Sequence, residues 1–122
     1  MANILVVDDS EMFREIMKDI LEKAGQTVVG MAVNGREGVE MYESLQPDIV
    51  TMDITMPEMG GIEALGKIME ADPLAKVVMV SSAGQESVVN EAMIIGACAF
   101  LQKPYELEQV LEVLMDVLRD IG

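Results

Sequence analysis

Five times along the chain, a short apolar run gives way to a longer stretch in which apolar residues recur at helical spacing. The runs lie near 3–7, 28–32, 48–52, 76–81 and 98–102, and the amphipathic stretches near 11–24, 35–45, 62–71, 86–95 and 106–120. Such switching between continuous apolar character and a period of 3.6 predicts strands alternating with helices. Repeated strand–helix units place their strands parallel, because each crossover packs its helix back onto the sheet. The expected fold is therefore α/β, a doubly wound five-stranded parallel sheet with five helices on its two faces. The first and third runs, Ile4-Leu5-Val6-Val7 and Ile49-Val50-Thr51-Met52, are almost wholly apolar, as central strands covered on both sides must be. The second, interrupted by Gly30, reads as an edge strand.

The helical stretches carry clear faces. In 11–24, Met12, Phe13, Ile16, Met17, Ile20 and Leu21 share one side, and Gly25 stops the helix. In 106–120, Leu107, Val110, Leu111, Leu114, Val117 and Leu118 oppose Glu108, Glu112, Asp116 and Arg119. With 122 residues and no linker or low-complexity tract, one domain over 1–122 without an output domain is expected. No apolar stretch approaches the roughly 20 residues of a membrane span. The first residues lack the basic region of a signal peptide, and a cytoplasmic location is expected. The single cysteine, Cys98, excludes an internal disulfide and reads as a small buried hydrophobe within a strand. With 22 acids, 8 bases, no histidine and a net charge of −14, the chain has nothing with which to neutralise nucleic-acid phosphates. That balance favours basic protein surfaces and multivalent cations instead.

In a doubly wound sheet, ligands bind beyond the carboxyl ends of the strands. Asp8 and Asp9 follow the first run, Asp53 ends the third, Ser81 the fourth, and Lys103 the fifth. Gathering carboxylates there is unfavourable unless a cation lies among them or one of them keeps a proton. Oxygen donors of this kind suit magnesium, with manganese as an alternative. Asp9 or Ser10 also reads as a cap for the following helix, Asp53 alone as a turn acid, and Ser81 alone as a strand-end hydroxyl bonded to backbone. Pro57, Gly60 and Gly61 compress the loop after Asp53, so the backbone carbonyl of Thr55 is a further candidate ligand. Pro104 disfavours a helical Lys103 and leaves it extended across the strand ends. Ser82-Ala83-Gly84 leave space for a ligand. Carboxylates, a cation, an ammonium and a hydroxyl together meet the needs of phosphoryl transfer. Without histidine, the nucleophile would be a carboxylate.

The order Asp8-Asp9, Asp53, Ser81, Lys103-Pro104 resembles the receiver domain of two-component response regulators over the whole chain. The stretch Met52 to Ile62 and the helix start Val33-Asn34-Gly35-Arg36-Glu37 resemble chemotaxis receivers of the CheY type. For such receivers the strand order is 2-1-3-4-5, flavodoxin-like, so that order is implied by the resemblance rather than read from periodicity. The resemblance further implies that Asp53 is the phosphoacceptor, served by the phosphohistidine of a kinase of the CheA type. Asp9, Asp53 and the Thr55 carbonyl would bind magnesium directly, and Asp8 through water. Lys103 would pair with the acid and then with its phosphoryl oxygens, and Ser81 would move to bond them. Phe100 holds the switch-aromatic position, without the hydroxyl of a tyrosine. Ala83 cannot orient an attacking water, so a slow self-hydrolysis is expected.

Such a protein is a monomeric switch rather than an enzyme, catalysing only its own phosphorylation and dephosphorylation. Its readout would be the fourth helix, fifth strand and fifth helix. Over residues 85–122 seven acids face two bases, which points to a motor or adaptor protein with a basic surface. A phosphorelay intermediate is the alternative within the class. A phosphatase of the haloacid dehalogenase type would want Asp-x-Asp where this chain has Asp53-Ile54-Thr55. A purely structural interaction module would show no magnesium effect.

Overall fold

The computed structural model describes residues 1–121. Its elements run β1 (Asn3–Val7), α1 (Glu11–Lys23), β2 (Thr27–Ala32), α2 (Gly35–Leu45), β3 (Ile49–Asp53), α3 (Gly61–Ala71), β4 (Val77–Ser81), α4 (Glu86–Ile95), β5 (Ala99–Gln102) and α5 (Leu107–Ile121). All strand pairs are parallel, in the order β2-β1-β3-β4-β5. Both the fold class and the strand order expected from the sequence are therefore present.

The pleat sorts alternate strand residues to opposite faces. Leu5, Val7, Val50, Met52, Val77 and Met79 turn toward α2, α3 and α4, where they meet Tyr42, Leu65, Ile68 and Val89. Ile4, Val6, Ile49, Val78 and Val80 turn the other way, toward Met17, Ile20 and Leu21 of α1 and Val110, Leu114 and Val117 of α5. Each fully buried aliphatic side chain in these layers contributes about 1.5–3 kcal/mol relative to exposure. β2 is an edge strand, and its pairing with β1 slips by one residue between Ile4 and Leu5, a bulge beside Gly30. A Cβ on Gly30 would lie 2.8 Å from the end of the Leu45 side chain.

Two expectations shift in detail. Met12, Ile16 and Leu107 are exposed, because the apolar faces of α1 and α5 are wider than the strip of sheet each helix covers. Asp53 is the last residue of β3, as expected. Cys98 precedes β5 and is only half-buried, its Sγ donating to the Val77 carbonyl at 3.4 Å. Burial still pushes its thiol up, toward the protonated, unreactive form.

Candidate functional site

The carboxyl ends of β1, β3, β4 and β5 deliver Asp8, Asp53, Ser81 and Lys103 to one edge of the sheet. Asp8 continues the β1 ladder, its amide donating to the Ala32 carbonyl at 3.1 Å. Its Oδ1 accepts from the Ser10 amide at 2.9 Å, and Arg14 Nη1 donates to its carbonyl at 2.8 Å. Ser10, not Asp9, caps α1: its Oγ accepts from the Phe13 amide at 3.3 Å. Asp9 is thereby left exposed and uncommitted at the rim.

Lys103 crosses the gap between strands. Its amide donates to the Ser81 carbonyl at 2.7 Å, and the peptide to Pro104 is cis. The ammonium stands 2.8 Å from Asp8 Oδ2 and 3.4 Å from Asp53 Oδ2. On another side it faces the Phe13 ring, 4.2 Å from the centroid. Tyr105 packs tilted against that ring at 5.8 Å and donates its hydroxyl to the Phe13 carbonyl at 3.3 Å. Burial, then the charges of Asp8 and Asp53, push the Tyr105 phenol up and keep it protonated.

One ammonium does not balance three acids. Asp53 is 5% exposed, and its carboxyl is raised from 3.8 to about 6. Burial is the main cause, followed by the charge of Asp8; Lys103 pulls the other way and Asp9 adds a little more. One oxygen from each of Asp8, Asp9 and Asp53 lies within 4.8 Å of the others. Ligands of an octahedral magnesium stand about 3 Å apart when adjacent and about 4.2 Å when opposite, so hard oxygens gathered this closely suit such an ion. A dication there would also relieve the repulsion that raises Asp53.

The loop carrying Thr55 is fixed from behind. Asn34 caps α2 through the Glu37 amide at 2.8 Å and donates to Glu58 Oε2 at 2.9 Å. Glu58 has φ of +66°, rare for a side-chain-bearing residue, and Arg36 approaches its other oxygen at 3.3 Å. Gly35 donates to the Met59 carbonyl at 2.9 Å, and Gly61 to that of Ile54 at 2.8 Å. Thr55 Oγ1 accepts from Gln85 Nε2 at 3.0 Å, and Gln85 Oε1 accepts from the Ser82 amide at 2.7 Å. That side chain links the loops after β3 and β4. Ser81 is buried, with Oγ 3.4 Å from the Leu101 carbonyl, a long bond that is easily exchanged. Phe100 is half exposed and lines, with Ser81, Val89 and Met93, an open cavity of about 170 Å³.

Asp8, Asp9, Asp53 and Lys103 thus come together as expected, with Ser81 and Thr55 at the margins. The sequence pattern does not mark Phe13, Gln85, Asn34 or Glu58 as site residues. Phe13 fits the apolar face of α1, and nothing in a linear pattern reports that its ring turns toward the strand ends. Glu58 and Gln85 act across 24 and 30 residues of sequence.

A family model described as the response regulator receiver domain matches residues 4–115. Among curated relatives, Chemotaxis protein CheY of Thermotoga maritima is 52% identical over 93% of this chain and 95% of its own length. The Bacillus subtilis protein of the same name is 48% identical over 94% of this chain and 96% of its own length. Among solved structures, the CheX–CheY–BeF3–Mg complex from Borrelia burgdorferi superposes with a TM-score of 0.92 at 40% identity, over 95% of this chain and 88% of that one.

Proposed function

The chain belongs to the response regulator receiver domain family, and we propose that it is a phosphoacceptor switch of a two-component system serving chemotaxis, acting in the cytoplasm as a monomer. The observation that carries this reading is the convergence of Lys103 on Asp8 and Asp53, with Asp9 beside them at the open edge. Asp53 accepts the phosphoryl group from the phosphohistidine of a kinase of the CheA type. A carboxylate oxygen of Asp53 bonds to phosphorus as the bond from phosphorus to the imidazole nitrogen breaks. Asp9, Asp53 and the Thr55 carbonyl would hold magnesium, with Asp8 reaching it through water, and the ion would supply charge neutralisation for the transferred oxygens. Lys103 exchanges a carboxylate partner for a phosphoryl oxygen.

The new group brings a charge of roughly −1.5 to −2. Its oxygens offer Ser81 a better acceptor than the distant Leu101 carbonyl, so the hydroxyl turns toward Asp53. The space it leaves joins the cavity that Phe100 borders, and the ring moves inward. The surface of α4, β5 and α5 thereby changes shape and binds a motor or adaptor protein with a basic surface. Support for a protein partner comes from the Borrelia relative, whose solved structure is a complex with CheX.

Phosphotransfer tests the reading. Mixed with a phosphorylated kinase of the CheA type and magnesium, the protein should take up label, and Asp53→Asn should not. Label retained by the kinase in every mixture would contradict it. Charge reversal of Glu91 and Glu112 should weaken partner binding and flatten its salt dependence; unchanged values would remove the basic-surface partner.

A further inference from the structure

We infer that Phe13 is a positioning residue for phosphoryl transfer, holding the Lys103 ammonium over the site through the face of its ring. The inference rests on the reading of Asp53 as phosphoacceptor. The Lys103 side chain is 12% exposed, so few waters solvate its charge, and its contacts are Asp8, Asp53 and the ring at 4.2 Å. An ammonium at that distance from a ring face is attracted by the ring quadrupole, most strongly where water is excluded.

The ring is held in place for this task. The Phe13 amide donates to Ser10 Oγ, and its carbonyl accepts from the Tyr105 hydroxyl. Tyr105 also packs against the ring, at 5.8 Å and 52°. Tyr105 lies two residues beyond Lys103, so the lysine and its aromatic partner are tied into one unit joining α1 to the segment after β5.

The chemistry makes the contact useful. With acetyl phosphate, the bond between phosphorus and the acetate oxygen breaks as one forms to an Asp53 oxygen, and acetate leaves with the electron pair. Lys103 must then release a carboxylate and take up a phosphoryl oxygen. Its ionic contacts change during that exchange, whereas the ring does not. Phe13 keeps the ammonium within reach while its partners are replaced.

Fluorinated phenylalanines at position 13 test this, because fluorine withdraws charge from the ring face at nearly constant size. The rate of Asp53 modification by acetyl phosphate should fall step by step with fluorine number, reaching about threefold to tenfold with the fully fluorinated ring. Phe13→Tyr should keep the rate, Phe13→Leu should lose it to a similar extent, and thermal midpoints should verify folding. In the unsubstituted protein the Lys103 Hε protons should show an upfield ring-current shift that Phe13→Leu removes. A flat fluorine series in a protein that is modified at Asp53, or unshifted Lys103 protons, would overturn the inference. Failure of the unsubstituted protein to be modified would strike the functional reading instead, and the ring-current measurement would still decide whether ring and ammonium meet.

Discussion

Lys103 pairs with Asp8 at 2.8 Å, closer than its 3.4 Å approach to Asp53, so the buried acid that ends β3 has the weaker hold on the site's ammonium. Its carboxyl is raised from 3.8 to about 6, chiefly by burial and then by the charge of Asp8, and Lys103 offsets this only in part. Folding therefore stores an electrostatic cost at Asp53, which a bound cation would remove.

The cost has a pH signature. Between the unfolded value of 3.8 and the folded value of about 6, the folded protein binds the Asp53 proton more tightly than the unfolded chain does. Stability from this group is thus present at the acid side of that window and lost as pH rises through it, by about 3 kcal/mol in all. In Asp53→Asn that fall should disappear, leaving the variant more stable than the parent at pH 7 without divalent ions. Urea unfolding from pH 4 to 7.5 checks this; parallel curves for the two proteins would count against it.

Replacing Lys103 by methionine keeps much of its volume but removes the ammonium. Asp8 and Asp53 then face each other unneutralised, and the loss at pH 7 should be about 2 kcal/mol, below that of a fully sealed pair because Asp53 can take a proton. The same variant should bind magnesium more tightly, since the ion no longer competes with a resident positive charge. Calorimetric titration should therefore show affinity rising as stability falls.

Two glycines of α3 give opposite expectations. A Cβ on Gly61 would stand 2.0 Å from the Asp53 carbonyl oxygen, whereas one on Gly66 meets nothing within 4 Å. Gly61→Ala should push the α3 start away from Asp53 and cost about 2–4 kcal/mol, in the range of severe core changes. Gly66→Ala should stabilise by about 0.5–1 kcal/mol through helix propensity alone. Thermal unfolding of the pair separates the effects.

Asn34→Ala removes both the α2 cap and the contact to Glu58. Loss of the cap should cost about 1 kcal/mol. Without Asn34, Glu58 is less firmly held at positive φ, so the loop bearing Thr55 loosens and magnesium affinity should also drop. Asn34→Asp keeps the cap acceptor but repels Glu58; it should retain more stability yet still lose affinity.

The sheet was legible because central strands and helix faces write their burial into local spacing: Ile4 to Val7 and Val110 to Val117 need no distant information. The acids were legible because a doubly wound sheet converts strand ends into one edge. The rest depended on contacts between distant residues. Gln85 meets Thr55, and Asn34 meets Glu58, only after the intervening crossover has brought their loops together. Phe13 lies on the apolar side of α1, but near the end of the sheet, where its ring meets an ammonium as well as the edge of the core. Met12 and Ile16 show the complementary limit, because periodicity marks an apolar face but not how much of it a neighbour covers.

The central claim is that Asp53 accepts phosphorus with magnesium bound among its neighbouring acids. Intact-mass measurement after incubation with acetyl phosphate tests it most directly. One added phosphoryl mass should appear with magnesium, diminish with a chelator and be absent from Asp53→Asn. An unmodified parent protein under all conditions, or equal modification of the asparagine variant, would contradict the account.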